Sequence, residues 1–505
     1  MKDKILFWLG NDYTHFCLAS ALEKKYNCDM YGIVEVTNRP RKFFEEQKIV
    51  NFQELFYFHD SIKKKNTSAD LEYLEKFEKK YNLNLWKLIQ NERIFLYYQN
   101  FYKFSPKEIL NILEQECRFF ETILENIKPD FFFTKISSLH HQELFYQMCR
   151  NSNVNVQLLT YAPLSRHCLI MQQTSRLDYE EQPEDSNNVR SFEQLQEYLH
   201  SFELLKQLDN KILKPGTGIT MNLRTFKEYL LHSDSKNLDT HYTYYGRTKF
   251  KVLCNYMDNF FKTYLREKFI NKNLDYALEY SSPYIFFPLH TEIERSLLIA
   301  APHYINQIEI IKSIAKSLPI NFKLYVKEHP AQVKRSWRQI SEYKDVMSIP
   351  NVVFVHPRAS NDELYKNCSM VISIAGTTGF EGAFYGKPVI TFEQMYYSTI
   401  PTVRTLENLD SLSDLIKEVL ELKPSSADLD NYLKNLEKNI VDFDYAEFLK
   451  MLSNEFFYGS NLVDARISED VMSKFLNKNQ ENLEVLVDAH INKINWFKKQ
   501  SPNIE

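Results

Sequence analysis

Glycine is scarce in this chain. The 505 residues contain only ten glycines, well below the average usage of about 7%. Four of the ten lie in one short stretch, SIAGTTGFEGAFYGKPVITF, which runs from Ser373 to Phe392. Because glycine is the residue that tolerates backbone conformations closed to other side chains, this concentration predicts an unusual backbone path in that stretch.

Three other patterns are missing. The seven cysteines form no CxxC pair, so zinc or disulfide chemistry is not expected, and reduced thiols in the cytoplasm fit best. No run approaches the roughly 18 apolar residues that cross a bilayer, and the first apolar run is too short for a signal peptide. The 62 basic and 66 acidic residues form no long block of one sign, so nucleic acid is not an expected partner. We expect a cytoplasmic protein, with peripheral contact at the inner face of the cytoplasmic membrane left open.

Short β-rich runs alternate with helical patterns in the first third of the chain. KILFWL at 4–9 opens a β-α-β pattern, and PDFFFT at 129–134 and VNVQLLTY at 154–161 resume it. Between them, Ser105-Pro106-Lys107-Glu108 is typical of a helix start with a capping box. These patterns predict an N-terminal α/β domain over residues 1–172.

The remaining chain divides into three further segments. Residues 173–282 contain a polar linker at 176–191, and the rest of this segment has a helical pattern, so we interpret it as a helical insertion. Residues 283–422 contain five short β-rich runs separated by helices, which predict a doubly wound, Rossmann-like parallel sheet. Residues 423–505 are helical and polar, and we interpret them as a C-terminal extension.

The glycine-rich stretch reads as a strand, a tight turn and a helix. A helix N-terminus offers free N–H groups and partial positive charge, and small residues allow an anion to approach that backbone. The turn around Gly376 is therefore a candidate phosphate site. The alternative is that the glycines only form a tight turn, with Thr378 and Glu381 as the ends of a capping box.

Polar residues also follow neighbouring predicted strands. His290 follows YIFFPL, and Lys327 and His329 follow KLYV. Ligands bind beyond the carboxyl ends of parallel strands, and an ammonium group with an imidazole suits a phosphate. A histidine at a strand end is more often structural, and we keep that interpretation for His303 and His356.

Three motifs resemble the capsular polysaccharide biosynthesis family, which includes Kdo transferases. They are PLHTEIERS at 288–296, LYVKEHPA at 324–331 and ISIAGTTGFEGAFYGKPVITF at 372–392. The resemblance implies a GT-B-like α/β fold, in which two Rossmann-like domains face a cleft and the C-terminal domain holds a nucleotide-activated donor. It covers residues 283–410 well and the N-terminal domain only in outline.

The resemblance also implies roles for individual residues. His329 would contact the donor phosphate, Ser373, Thr377 and Thr378 would line the phosphate turn with Gly376, and Glu381 would bind ribose hydroxyls. The family's first motif, His, any residue, Gln, Pro, Glu, is reduced here to His290 and Glu294. This departure leaves the donor open between a CMP-Kdo-like molecule and another nucleotide sugar.

The acceptor side is expected in the N-terminal domain. A transferase needs a group that removes or orients the acceptor proton, and the loop after the first predicted strand supplies Asp12 and His15 as candidates. The alternative for Asp12 is that it caps the helix that follows.

The expected function is metal-independent glycosyl transfer. The two Asp-x-Asp pairs, at 428–430 and 442–444, lie in the helical tail rather than at a strand end, so no catalytic metal is expected, and no cofactor beyond the nucleotide sugar as substrate. The acceptor would be a surface or capsular glycan or its glycolipid precursor, with other capsule-synthesis proteins as further partners. Two alternatives remain, namely a nucleotide-sugar 2-epimerase-like isomerase and a catalytically inactive scaffold of capsule assembly.

Overall fold

The computed structural model describes residues 2–65, 67–96, 101–180, 189–202, 241–274, 282–292, 294–334, 338–456 and 467–500. Much of the predicted linker and helical insertion, at 181–188, 203–240 and 275–281, lies outside the described residues. The chain divides into two compact units. Among the described residues, unit 1 comprises 2–172, 241–252 and 440–500, and unit 2 comprises 173–202 and 253–439.

The strands, in chain order, are β1 Asp3–Leu9, β2 Cys28–Val34, β3 Glu54–Tyr57, β4 Phe131–Lys135, β5 Asn155–Tyr161, β6 Cys168–Met171, β7 Tyr284–Pro288, β8 Lys323–Lys327, β9 Val352–Val355, β10 Met370–Ser373, β11 Val389–Thr391, β12 Val403–Thr405 and β13 Ile440–Val441.

The α-helices, in chain order, are α1 Thr14–Lys25, α2 Asn38–Glu46, α3 Phe58–Ser61, α4 Leu71–Tyr81, α5 Leu85–Ile89, α6 Arg93–Leu96, α7 Pro106–Ile127, α8 His140–Asn151, α9 Phe192–Ser201, α10 Lys249–Asn273, α11 Arg295–Leu298, α12 Gln307–Ser317, α13 Ile340–Met347, α14 Asn361–Asn367, α15 Thr377–Phe384, α16 Leu412–Leu420, α17 Ser426–Asn439, α18 Tyr445–Phe456, α19 Glu469–Lys478 and α20 Gln480–Gln500. Short 3-10 turns lie at Tyr242–Tyr244, Pro330–Lys334 and Leu409–Ser411.

Unit 1 is built on a seven-stranded sheet in the order β13-β6-β5-β4-β1-β2-β3. Strands β1 to β5 are parallel, and β6 and β13 add an antiparallel edge. Side chains of β1 alternate between the two faces. Ile5 and Phe7 enter one hydrophobic core, and Leu6 and Trp8 enter the other. A strand buried on both faces explains why the run from Ile5 to Leu9 is apolar throughout.

The C-terminal helices form part of the unit 1 core. In α20, Leu483, Leu486, Ile494 and Phe497 pack with residues of β1 and α1 in the same hydrophobic cluster. Full burial of such a side chain contributes about 1.5–3 kcal/mol. The segment that we interpreted as a C-terminal extension, from 423 onward, is therefore divided between the two units. Its first part, up to Asn439, belongs to unit 2, and its last part, from Ile440, covers one face of the unit 1 sheet.

Unit 2 is built on a six-stranded sheet in the order β12-β11-β10-β7-β8-β9. Every pairing in it is parallel. Read from the β9 edge, the chain order of the strands is 3-2-1-4-5-6, which is the order of dinucleotide-binding sheets. The direction of winding reverses between β7 and β10, so a crevice for ligand is expected beyond the carboxyl ends of these two strands.

Most predicted elements are found where the sequence placed them. The five β-rich runs of 283–422 correspond to β7 to β11, and β12 is an additional short strand that the pattern did not reveal. The capping box at the start of α7 is present, with Ser105 and Glu108 each bonded to the other's backbone. The fold prediction, an α/β protein with two Rossmann-like domains and a helical C-terminal region, is confirmed.

Among the described residues, no helix has the length and apolar character needed to cross a membrane.

Candidate functional site

The backbone turn after β10 requires glycine at one position. Gly376 has φ 101° and ψ −170°, a conformation that side chains with a Cβ rarely adopt. The Tyr397 hydroxyl donates a hydrogen bond of 2.7 Å to the Gly376 carbonyl. A Cβ on Gly376 would meet only the His290 ring, at 3.4 Å. The backbone angle, rather than lack of space, therefore explains the glycine.

Helix α15 begins immediately after this turn, at Thr377. Its N-cap residue is Gly376, which has no side chain to cap the helix. The first-turn N–H groups therefore lack a side-chain cap and are available to a ligand at this end.

A cavity of about 590 Å³ lies at this end of α15, and every residue that lines it belongs to unit 2. Its walls come from the strand-end segments after β7, β8 and β9, from the first two turns of α15 and from the end of α9: Leu199, His200, Phe202, Pro288, Leu289, Lys327, Glu328, His329, Pro330, Asn361, Asp362, Tyr365, Thr377, Thr378, Glu381 and Tyr385. The cavity therefore occupies the crevice that the strand order predicts.

Glu381 faces this cavity and is held by two hydroxyl groups. Its Oε1 accepts a hydrogen bond of 3.1 Å from Thr377, and its Oε2 accepts one of 3.0 Å from the buried Tyr365. Burial raises the pKa of Tyr365 well above its ordinary range, so the phenol stays protonated and donates. Because the helix begins at Thr377, Thr378 is not its N-cap, and the capping-box alternative for Glu381 is wrong.

His329 lines the same cavity with a defined tautomer. Its Nδ1 accepts a hydrogen bond of 3.1 Å from the backbone N–H of Ala331 and lies 3.0 Å from the Thr291 hydroxyl. Since a backbone N–H can only donate, Nδ1 carries no proton and the neutral ring has its N–H at Nε2. This is the hydrogen-bond donor that a phosphate oxygen needs.

Lys327 lies in the wall of the cavity, but its ammonium group is directed to a loop. Nζ donates 2.7 Å to the Ala359 carbonyl and also donates to Asn361 Oδ1. Asn361 is the first residue of α14, and Ala359 lies two residues before it. The lysine predicted as a phosphate ligand therefore holds the loop before α14 in place.

Besides Gly376, which forms the turn, three other predicted donor-site residues do not line the cavity. The His290 ring lies under the turn, with Nε2 3.3 Å from the Ala375 amide, and burial lowers its pKa to about 4. Ser373 is fully buried and donates 3.3 Å to the Ala375 carbonyl. Glu294 precedes α11. We therefore assign His290 and Ser373 to support of the turn rather than to phosphate contact.

One wall of the cavity contains polar residues that sequence reasoning missed. The Tyr385 hydroxyl donates 2.7 Å to Asp362 and lies 3.2 Å from His200 Nε2. Asp362 lies in the first turn of α14, shortly after β9. Its position after a predicted strand could have indicated a residue of the cavity wall. His200 belongs to α9, in the segment interpreted as an insertion, and no local pattern could have revealed it.

Asp12 and His15 lie in unit 1, beyond the carboxyl end of β1. Asp12 forms an ion pair with Lys135 and accepts a hydrogen bond of 3.1 Å from the Thr14 amide. Burial alone would raise the pKa of Asp12, but Lys135 and the Thr14 amide lower it below its ordinary range. Burial lowers the pKa of His15 to about 4. At neutral pH the pair is an ionised carboxylate and a neutral imidazole.

One buried group in unit 1 has the composition of a metal site. Glu116, His140 and His141 bring ligand atoms within 4.8 Å of one another, and no second such group occurs in the part of the chain that the structure describes. Both ring nitrogens of His140 are occupied, at 2.9 Å from Glu92 and 2.9 Å from Glu116. Although burial opposes the charge, these carboxylates raise the pKa of His140 to about 10. A proton on His140 thus places one positive charge between the carboxylates of Glu92 and Glu116.

The strand order of unit 2 defines a Rossmann-like domain, and its cavity lies at the switch point of the sheet. A family model described as "Capsule polysaccharide biosynthesis protein" matches residues 221–410. The resemblance recognised in the three motifs is confirmed over this stretch. A search of curated protein sequences finds no match.

Solved structures similar to this chain include enzymes of two kinds. UDP-GlcNAc 2-epimerase from Methanocaldococcus jannaschii, in complex with UDP-GlcNAc and UDP, is 14% identical; the alignment covers 86% of this chain and 99% of that one, with a TM-score of 0.25. KpsC from Thermosulfurimonas dismutans, a beta Kdo 2,7 transferase, is 13% identical; the alignment covers 69% of this chain and 87% of that one, with a TM-score of 0.30. The calicheamicin glycosyltransferase CalG4 is 11% identical; the alignment covers 90% of this chain and 100% of that one, with a TM-score of 0.26. Such weak similarity does not discriminate between a transferase and an epimerase.

Proposed function

We propose that this protein is a glycosyltransferase that binds a nucleotide-activated sugar in the cavity of unit 2 and transfers the sugar to a surface or capsular polysaccharide or its glycolipid precursor. The observation that carries the proposal is the grouping of three features on one cavity. These are the N-terminus of α15, the Nε2 donor of His329 and the anchored carboxylate of Glu381. The family match over residues 221–410 supports a role in the synthesis of capsular polysaccharide.

The N-terminus of α15 and His329 are assigned to the donor phosphate. Negative charge develops on this phosphate as the bond to the sugar breaks, and fixed N–H donors lower the energy of that state. The helix supplies N–H groups and partial positive charge, and His329 supplies a directional N–H. His290 and Ser373 hold the backbone of the turn against Ala375, so these donors are in place before the substrate arrives.

Glu381 is assigned to the ribose. An ionised carboxylate accepts hydrogen bonds from two neighbouring hydroxyl groups, which is the arrangement that ribose offers. Tyr365 and Thr377 hold the carboxylate from the protein side. Glu381 lines the cavity from the first turns of α15, where a ribose bound at the switch point of the sheet would lie.

The acceptor hydroxyl is assigned to unit 1, with Asp12 and His15 as the residues that receive it. Asp12 has a lowered pKa and is paired with Lys135, so it suits orientation of a hydroxyl better than full removal of its proton. His15 is neutral at pH 7 because burial lowers its pKa to about 4. We keep both residues as candidates for the acceptor side.

Two measurements on the full-length chain test the proposal. Calorimetry with CMP, UDP, GDP and CDP should find one nucleotide that binds to the wild type and binds poorly to Glu381→Gln. Transfer from the corresponding nucleotide sugar should then require a glycan acceptor. Conversion of the nucleotide sugar without any acceptor would instead identify an epimerase. Absence of nucleotide binding in folded protein would contradict both enzymatic assignments and favour a scaffold.

A further inference from the structure

Helix α10, Lys249–Asn273, turns its apolar side outward. The exposed fractions of its large apolar side chains are 74% for Phe250, 46% for Met257, 54% for Phe260, 57% for Phe261 and 58% for Tyr264. Leu253 and Leu265 are also exposed. The spacing of three, four and seven residues places these side chains on one face, which extends over about 20 Å at 1.5 Å per residue.

The opposite face of α10 is polar and points toward the protein. Asn255, Asn259 and Thr263 are half-buried, and Arg266 is 2% exposed. Further along, Asn271 contacts His356 at 3.0 Å, and Ile270 is fully buried in the unit 2 core. A surface helix of a globular protein ordinarily buries its apolar face and exposes its polar one. Over residues 250–265 the orientation of α10 is the reverse, which is typical of an interaction site, whereas its last turns bury Ile270 and part of Phe269 in the ordinary way.

The charges around this apolar face are mainly positive. Five exposed lysines (Lys249, Lys251, Lys262, Lys268 and Lys272) stand against two acidic residues, Asp258 and Glu267, which leaves a net charge of +3 on the helix surface. The whole chain carries −4. The basic character is therefore a local property of this helix.

We propose that α10 docks the protein on an anionic lipid surface. Aromatic and aliphatic side chains on one face, with lysines beside them, form the pattern of a helix that lies in the plane of the membrane interface. Lysines close to such a surface each strengthen binding to anionic lipid. A second copy of the chain is a poorer occupant, because it would bring two surfaces of charge +3 together. The proposal does not depend on the assignment of the cavity in unit 2.

Co-sedimentation of the full-length chain with vesicles tests this proposal. We expect binding to vesicles of phosphatidylglycerol and phosphatidylcholine, weaker binding at high salt, and much weaker binding to pure phosphatidylcholine. The double variant Lys251→Glu/Lys262→Glu should reduce binding at least about tenfold. Phe260→Gln/Phe261→Gln should reduce it by a similar factor. The matched control Lys76→Glu/Lys79→Glu, on exposed positions of α4, should bind as the wild type does.

Three results would overturn the proposal. The first is absence of binding to anionic vesicles by folded wild-type protein. The second is equal loss of binding in the α4 control, which would show a general charge effect. The third is a dimer in light scattering that Phe260→Gln/Phe261→Gln converts to a monomer, which would assign the face to a second copy of the chain.

Discussion

The hydroxyl of Tyr365 lies 3.0 Å from Oε2 of Glu381 and also 3.3 Å from the carbonyl of Thr378. Tyr365 comes from α14 and Glu381 from α15, so a buried phenol joins the two helices at the wall of the cavity. The carboxylate is consequently held in one orientation without any contribution from a helix cap. This contact, rather than a helix cap, therefore supports the carboxylate at the cavity wall.

Replacement of Glu381 by glutamine should weaken nucleotide binding by about 10- to 150-fold. A charge-assisted hydrogen bond contributes roughly 1.5–3 kcal/mol, and each ~1.4 kcal/mol is one decade in affinity. The amide offers one acceptor and places a donor where ribose also donates. Calorimetry on folded protein measures the effect. The control is Glu421→Gln, at an exposed position after α16, and unchanged affinity in Glu381→Gln would remove the ribose assignment.

His329→Ala should lower kcat/KM for sugar transfer by about 100-fold, because removal of one fixed donor to a developing negative charge costs on the order of 10²–10³ in rate. The matched control is His303→Ala, which removes an exposed histidine. Steady-state kinetics with both variants measures the difference. If the two variants retain the same activity, His329 does not contact the leaving phosphate.

Gly376→Ala should destabilise the protein, whereas Gly10→Ala should change the free energy of unfolding little. At φ 101° a residue with a Cβ is strained by roughly 1–3 kcal/mol. Gly10 has no such angle, and a Cβ there would approach only the Lys135 ammonium, at 3.6 Å. Urea unfolding measures the free energy of unfolding of both variants. Equal values would contradict the prediction, because they would show that the turn accepts a Cβ at residue 376 without strain.

The charge on His140 should make the free energy of unfolding depend on pH. The folded-state pKa of His140 is raised to about 10, while the unfolded value is about 6.5. A raised folded pKa means stability that is fully present below pH 6.5 and is lost as pH rises toward 10. Urea unfolding between pH 6 and pH 10 should show this fall. His140→Gln should be less stable at pH 6 and show a smaller fall; an identical slope would mean that His140 is not the titrating group.

Sugar transfer should persist in excess EDTA. The phosphate charge is assigned to the N-terminus of α15 and to His329, and the carboxylates of the cavity wall already have protein partners. Glu328 contacts Arg338 and Tyr343, Asp362 accepts from Tyr385, and Glu381 accepts from Tyr365. The assay compares initial rates with and without chelator. Complete loss that Mg²⁺ restores would contradict the expectation.

The sequence by itself determined the local elements and their order. Continuous apolar runs of four or five residues are buried on both faces of a parallel sheet, so β7 to β11 could be predicted from the chain alone. Glycine at 376 indicated a turn that other residues cannot form, and the strand ends brought His329, Thr377 and Glu381 to one cavity. The strand and turn signals each lie within a few neighbouring residues, whereas the grouping at one cavity follows from the order of the parallel strands.

Only the tertiary structure decided which side chains act together. The direction of the Lys327 ammonium depends on the loop at Ala359, and the support of Glu381 depends on a tyrosine from another helix. His200 reaches the cavity from a helix more than 80 residues before β7 in the chain. The C-terminal helices cover the unit 1 sheet because its apolar face would otherwise meet water. Such contacts join residues that are distant in the chain, and no local pattern of residues encodes them.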